Sequence, residues 1–273
     1  MTKSNTSTLK NQNFKKQISS MLSVDFRRMF TMPFIYIMIG VAFAIPILVL
    51  IMTNFMSGTP STNPTTGEVT TMQGFTNTWQ AIATISGDES SSAMSMDLTS
   101  MCNINLLYFL VAVVVCVFVA EDFRSGYAKN LFTVRPKKND YVISKTIVCF
   151  TAGVIMIVAF FIGTVIGGAI AGLPFSLDGA GVGGLIMCML SKILLMAVFV
   201  SISLTMSVFA KQKTWLSIIC SLGAGMLLFA MIPMMTPLNS TILNVVLCLA
   251  GGAMFSIGLG VVSKVILNKT SLV

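Results

Sequence analysis

The chain has 273 residues, of which 55% are hydrophobic and 10% charged, with a net charge of +8 and a mean hydropathy of +0.89. A soluble domain carries about 25% charged residues and a disordered chain is polar, so both classes are excluded. One membrane-spanning helix needs about 20 apolar residues, and the apolar content supplies about six of them.

Several chemistries are also excluded. There is no histidine, hence no histidine-ligated zinc, Ser-His dyad or histidine proton relay. No stretch reads G-x-x-x-x-G-K-[ST], so the chain has no phosphate-cradling loop of its own. Cys102, Cys116, Cys149, Cys188, Cys220 and Cys248 are scattered singly and read as small apolar fillers. Cys102 is the one placed at a predicted outer edge.

The first segment, 1–32, is a predicted cytoplasmic arm. After a polar stretch to residue 13, Phe14, Ile18, Met21, Leu22, Phe26, Met29 and Phe30 recur at helical spacing. Lys15, Lys16, Ser19, Ser20, Ser23, Arg27 and Arg28 lie on the other side. This predicts an amphipathic interfacial helix with its apolar face in lipid, either a plain anchor or an elbow that carries force into the first span.

Residues 33–273 form the predicted transmembrane domain. Apolar runs at Pro33–Thr53, Met101–Ala120, Val142–Ala171, Gly183–Ala210, Trp215–Met235 and Thr241–Leu267 are each long enough to cross. The third, fourth and sixth are longer than needed, which implies tilt or protruding ends. Open sheets are excluded in lipid, and the runs lack the alternation of a barrel. The fold class is therefore an all-α membrane protein of six transmembrane helices with both termini cytoplasmic. Between the first two spans, the outer loop 54–100 is rich in Ser, Thr, Gly and Pro and reads as a mobile decoration, with a substrate lid as the alternative. Its island Phe75, Trp79, Ile82 predicts a short helix resting on the outer interface.

Orientation follows from Lys and Arg placement. Of the 17 basic residues, all but Lys192 fall in 1–32, in 121–145, in the link 211–214 or at the C-terminal end. The loops 54–100, 172–182 and 236–240 carry none, and hold Glu68, Asp88, Glu89, Asp97 and Asp178 instead. The positive charge is thus membrane topology and not a nucleic-acid footprint.

The loop 121–140 is the most informative segment. Glu121 and Asp122 close the second span, Gly126 follows, then Lys129, Asn130, Leu131 and Phe132, then Pro136 and a basic turn, and Tyr141 and Lys145 open the third span. The segment 125–134 predicts a short helix along the cytoplasmic face, ended by Pro136. Phe123, Tyr127 and Leu131, spaced by four, make an apolar stripe suited to a groove on another protein.

The order E-D-x-x-x-G-x-x-K-N-L…P-x-x-x-x-Y-x-x-S-K between the second and third of six spans resembles the permease subunits of type-2 ABC exporters. The resemblance covers the whole topology. It implies that this loop contains a coupling helix docking on separate cytoplasmic ATPase subunits, and Glu121, Asp122, Gly126, Lys129, Asn130, Pro136, Tyr141 and Lys145 match by position. Lys137-Lys138-Asn139 stands where the family often has a Ser-Arg step. The re-entrant helices often found before the last span are shortened here to 232–240. The resemblance further implies a second permease subunit, as homodimer or heterodimer. ATP and Mg are expected on the partner ATPase, with no cofactor on this chain.

Within the bundle, Gly163/Gly167, Gly168/Gly172 and the set Gly252, Ser256, Gly260 present small faces for close helix approach. They are read as packing inside one subunit in preference to a dimer seam. Lys192 is the one charge well inside a run, and an intramembrane charge is a functional candidate. Two readings stay open for it: snorkelling to the outer interface, or contact with an anionic substrate group or Asp178. The functional expectation is a permease for a hydrophobic or amphipathic cargo such as an antimicrobial peptide, a drug or a lipid, in a bacterial plasma membrane. The alternatives are a self-contained channel or carrier, and a non-transporting sensory membrane subunit.

Overall fold

A computed structural model describes residues 18–58, 60–62, 69–71, 75–83, 103–134, 138–177, 181–229 and 231–269. Helix α1 covers residues 18–31. It ends because Met32 precedes a proline, which disfavours helical backbone, and Met32 is extended at φ −77°, ψ 120°. This single residue makes the elbow into α2 (Pro33–Met56). Then follow α3 (Leu106–Arg124), α4 (Tyr127–Val134), α5 (Lys138–Ala171), α6 (Val182–Ala210), α7 (Thr214–Phe229), α8 (Ile232–Met235) and α9 (Ile242–Lys269).

Among the described residues five helices, α2, α3, α5, α6 and α9, are long and apolar enough to cross a membrane. The fifth run, Trp215–Met235, differs from expectation. It splits into α7 and the four-residue α8, with Pro233 in the first turn of α8. At ~1.5 Å per residue α7 spans roughly 24 Å, short of a ~30 Å hydrocarbon core. The chain is thus an all-α membrane protein of about six spans. Helix α5, with 34 residues, is ~51 Å long and overshoots the membrane by about four turns, which lets polar residues of its first turns lie outside hydrocarbon.

Helix α3 is central, with 67% of its most apolar window buried, against 28% for α2 and 11% for α9. The α2–α5 contact depends on glycine. A Cβ on Gly163 would overlap the Phe43 carbonyl and the Pro46 ring, and one on Gly167 would lie 2.8 Å from Ile47 Cα. Gly252 likewise faces the Leu194 carbonyl of α6. These small faces pack inside the subunit.

The outer loop holds an antiparallel hairpin, β1 (Pro60–Thr62) with β2 (Val69–Thr71), in register Pro60↔Thr71 and Thr62↔Val69. The sequence reading had no strands there; Val69, Thr70 and Thr71 favour extended backbone. The Phe75 island is also more than a surface rest. Thr78–Ala81 is a 3₁₀ turn capped by Asn77, and Trp79 is 8% exposed. Its ring packs on Phe161 and Phe175 and its Nε1 donates to the Phe175 carbonyl at 3.1 Å. Gly168 leaves the space that Thr78 fills. The island is therefore fixed into the outer end of α5. Residues 84–102, Cys102 among them, lie outside the described residues.

Candidate functional site

At the end of the bundle that gathers the basic segments, α1, α3 and α5 meet around a buried charge cluster. Asp25 of α1, Asp122 of α3 and Lys145 of α5 are each 0% exposed. Lys145 Nζ lies 2.7 Å from Asp122 Oδ2 and 3.0 Å from Asp25 Oδ1. It is held by charge, because its approach to these oxygens is not aligned for hydrogen bonding. Arg28 Nη1 donates to Asp122 Oδ1 at 2.6 Å. Tyr141 donates to Asp122 Oδ2 at 2.8 Å and Ser144 donates to Asp25 Oδ2 at 2.6 Å. The Lys145 ammonium sits 3.8 Å from the Phe118 ring centroid. Two carboxylates and two cations give a neutral set, the condition under which charge tolerates burial.

Sequence spacing builds the cluster. Met21, Asp25 and Met29 are four apart and share one face of α1, and all three are buried. Tyr141 and Lys145 are likewise one turn apart on α5. The apolar face of α1 thus docks Met21 and Met29 on the protein core where lipid was expected. Asp25 was missed by the sequence reading, although its place between two inward methionines is a signal in the sequence.

The cluster carries α4 on its surface. Ser125 N–H bonds the Glu121 carbonyl at 2.9 Å and closes α3, and Gly126 turns the chain at φ +74°. A Cβ added at Gly126 would meet nothing within 4 Å, so only the backbone conformation requires glycine. Gly126→Ala is therefore expected to cost about 1–2 kcal/mol of stability, read by denaturant titration in mixed micelles, while Gly183→Ala, also in open space, costs nothing.

Arg28 stacks on the Tyr127 ring at 3.8 Å, tying the start of α4 to α1. Burial opposes the Arg28 charge, and Asp122, joined by Tyr127 and Asp25, more than offsets it, so the guanidinium is held above its ordinary range. Burial pushes the Tyr127 phenol up, Asp25 adds to this and Arg28 opposes it. At the other end of α4, Phe132 packs edge-on against Tyr141 at 5.3 Å. Lys138 Nζ lies 5.7 Å from the Phe132 ring and donates to the Leu267 carbonyl of α9 at 2.5 Å.

The Phe123-Tyr127-Leu131 stripe consequently faces the chain's own bundle. Phe123 is 7% exposed, and Leu131 packs on the core. Phe123 is thus internal, whereas Tyr127, under Arg28, and Leu131 are half-buried, so the chain itself covers part of the stripe that was expected to meet a partner. Asp122, Tyr141 and Lys145 are internal. The outward face consists of Glu121, Arg124, Lys129, Asn130, Thr133 and Val134, with Val134 80% exposed. Pro136 lies outside the described residues.

Lys192 sits at the opposite end and is 1% exposed. Its ammonium donates to Thr236 Oγ1 at 2.9 Å and Asn105 Oδ1 at 3.4 Å. Among the described residues no carboxylate pairs with it. It neither snorkels free nor meets an acid there, and Asp178 lies outside those residues. No group of three or more His, Cys, Asp or Glu able to hold a metal occurs among the described residues.

A family model described as ABC-2 family transporter protein matches residues 22–227, a stretch that contains the whole charge cluster, α4 and Lys192. No characterised protein and no solved structure matches the chain. The match covers well over half of the sequence, and with the helical bundle it establishes that this chain belongs to the ABC-2 transporter family, as a multi-pass membrane permease.

Proposed function

We propose that the chain is the translocating subunit of an ATP-driven exporter whose ATPase is a separate polypeptide. Two such subunits, identical or not, enclose a path for a hydrophobic or amphipathic cargo. The observation that carries the reading is the mounting of α4. This short helix lies at the cytoplasmic end, clamped through Tyr127 to α1 and through Phe132 to α5, whose Lys138 lies by the same ring and reaches the end of α9. A helix so held moves with three elements of the bundle, which is what a partner on its outward face needs in order to drive the spans. The chain has no phosphate loop, so ATP and Mg belong on that partner.

On the outward face Arg124, at the end of α3, and Lys129 of α4 outweigh Glu121, and Val134 gives an apolar tip. It suits an acidic groove with an apolar floor. Reversing both cations, Arg124→Glu with Lys129→Glu, touches no buried group. Intact protein is purified in mild detergent from native expression and the ATPase that comes with it is assayed. The double variant is expected to retain less than a tenth of the wild-type ATPase, a loss of at least ~1.4 kcal/mol in affinity, with an unchanged melting profile. Full retention of the partner sinks the docking face. Absence of any ATPase from folded wild-type protein sinks the exporter reading and favours a self-contained carrier.

A further inference from the structure

The two lysines buried among the described residues are held in opposite ways. Lys145, at the cytoplasmic end, is fixed between two carboxylates. Lys192, at the outer end, is equally buried but is held by a side-chain amide and a hydroxyl. A buried ion pair is hard to break, since each partner is left uncompensated. Neutral acceptors are readily replaced by water, and an ammonium gains by hydration. The first arrangement suits a permanent joint and the second a releasable one.

The elements joined at Lys192 fit that distinction. Asn105 stands at the start of α3, Lys192 lies on α6, and Thr236 follows α8. Tyr108 donates to the Lys192 carbonyl at 3.1 Å, which fixes α3 to α6 independently of the ammonium. The third element is the light one. Helix α8 has four residues, lies between the short α7 and Pro237, and is attached through the buried Ile232, Thr236, Leu238 and Ser240. Cys188, one turn from Lys192 on α6, donates weakly to the Thr236 carbonyl at 3.6 Å and is 0% exposed beneath this segment. Met234 of α8 and Met231 just before it, 78% and 59% exposed, give the segment an adaptable apolar outer surface.

We propose that Lys192 is the latch of an outer gate. The segment from α8 to Ser240 closes the outer end of the bundle while the ammonium holds Thr236 and Asn105. During the transport cycle it swings away and admits water to Lys192 and Cys188. This rests on the exporter reading above, because a path that alternates its access needs a closure on the outer side.

Cys188 supplies a native probe. The purified complex with its ATPase, in lipid nanodiscs, is treated with a polar maleimide, and modification of each cysteine is quantified by peptide mass spectrometry. Without nucleotide, Cys188 is expected to react as slowly as Cys149, which is also 0% exposed but lies beside the cytoplasmic joint. Mg-ATP turnover should raise Cys188 modification on the order of tenfold and leave Cys149 unchanged. Lys192→Met should raise it without ATP. Thr236→Val, which removes the acceptor alone, should do the same and serves if the lysine variant fails to fold. Protection of Cys188 during demonstrated ATP hydrolysis would place the gate elsewhere. An unchanged resting rate in Lys192→Met or Thr236→Val would remove the latch. If no ATPase copurifies, the exporter reading fails separately, and the resting rates of these variants still decide the latch.

Discussion

Lys145→Met is expected to lower the stability of the bundle by about 3–5 kcal/mol, the cost of leaving a buried carboxylate without its counter-charge. Lys145 serves two carboxylates, Asp25 and Asp122, all three at 0% exposure. Asp122 keeps Arg28 and Tyr141 when the lysine is lost, whereas among the described residues Asp25 keeps the Ser144 hydroxyl alone. The uncompensated charge is therefore that of Asp25. This identifies the compensating change: Asp25→Asn combined with Lys145→Met leaves the neutral Arg28–Asp122 pair and should recover most of the loss. Denaturant titration of all three variants in mixed micelles gives the coupling energy directly. Equal stability of the single and double variants would show that the three groups do not act as one unit.

Gly163→Leu is expected to cost about 3 kcal/mol, the upper end of the usual overpacking penalty. The obstacle is the Phe43 carbonyl and the Pro46 ring of α2, and backbone cannot rotate aside as a side chain does. The same substitution at Gly258 of α9, with nothing within 4 Å of an added Cβ, provides the control and should leave stability unchanged. Folded yield and denaturant midpoint both report on the comparison. A tolerated Gly163→Leu would mean that α2 and α5 are not held at this distance.

The architecture was legible because the bilayer constrains it so strongly. Apolar run length gave the spans, and the gathering of Lys and Arg in alternate segments agrees with a structure that brings α1, the start of α5 and the end of α9 together. Facing was harder to read. A stripe such as Phe123, Tyr127, Leu131 has the same spacing whether it meets a partner or its own bundle, and α1 has an apolar face suited equally to lipid and to protein. Asp25 decides the matter for α1, since a carboxylate between Met21 and Met29 is tolerable in a neutral protein cluster and not in hydrocarbon. The docking of Trp79 was hidden because it depends on Gly168 and on the carbonyls of 173–175, which are distant in sequence. The break between α7 and α8 follows from Pro233, which an average of hydropathy over the run conceals.

If α4 passes motion between the spans and a separate ATPase, its outward face must touch that ATPase. A photo-crosslinking residue at Asn130, which is exposed on that face, tests this most directly in the intact protein in its native membrane. The same residue at Ala128, buried against the bundle at 1% exposure, is the inward control. Illumination is expected to join Asn130 to a second polypeptide carrying a phosphate-binding loop, while Ala128 yields only links within the chain. Capture of no such polypeptide at Asn130, in protein shown to be folded, would contradict the coupling role of α4.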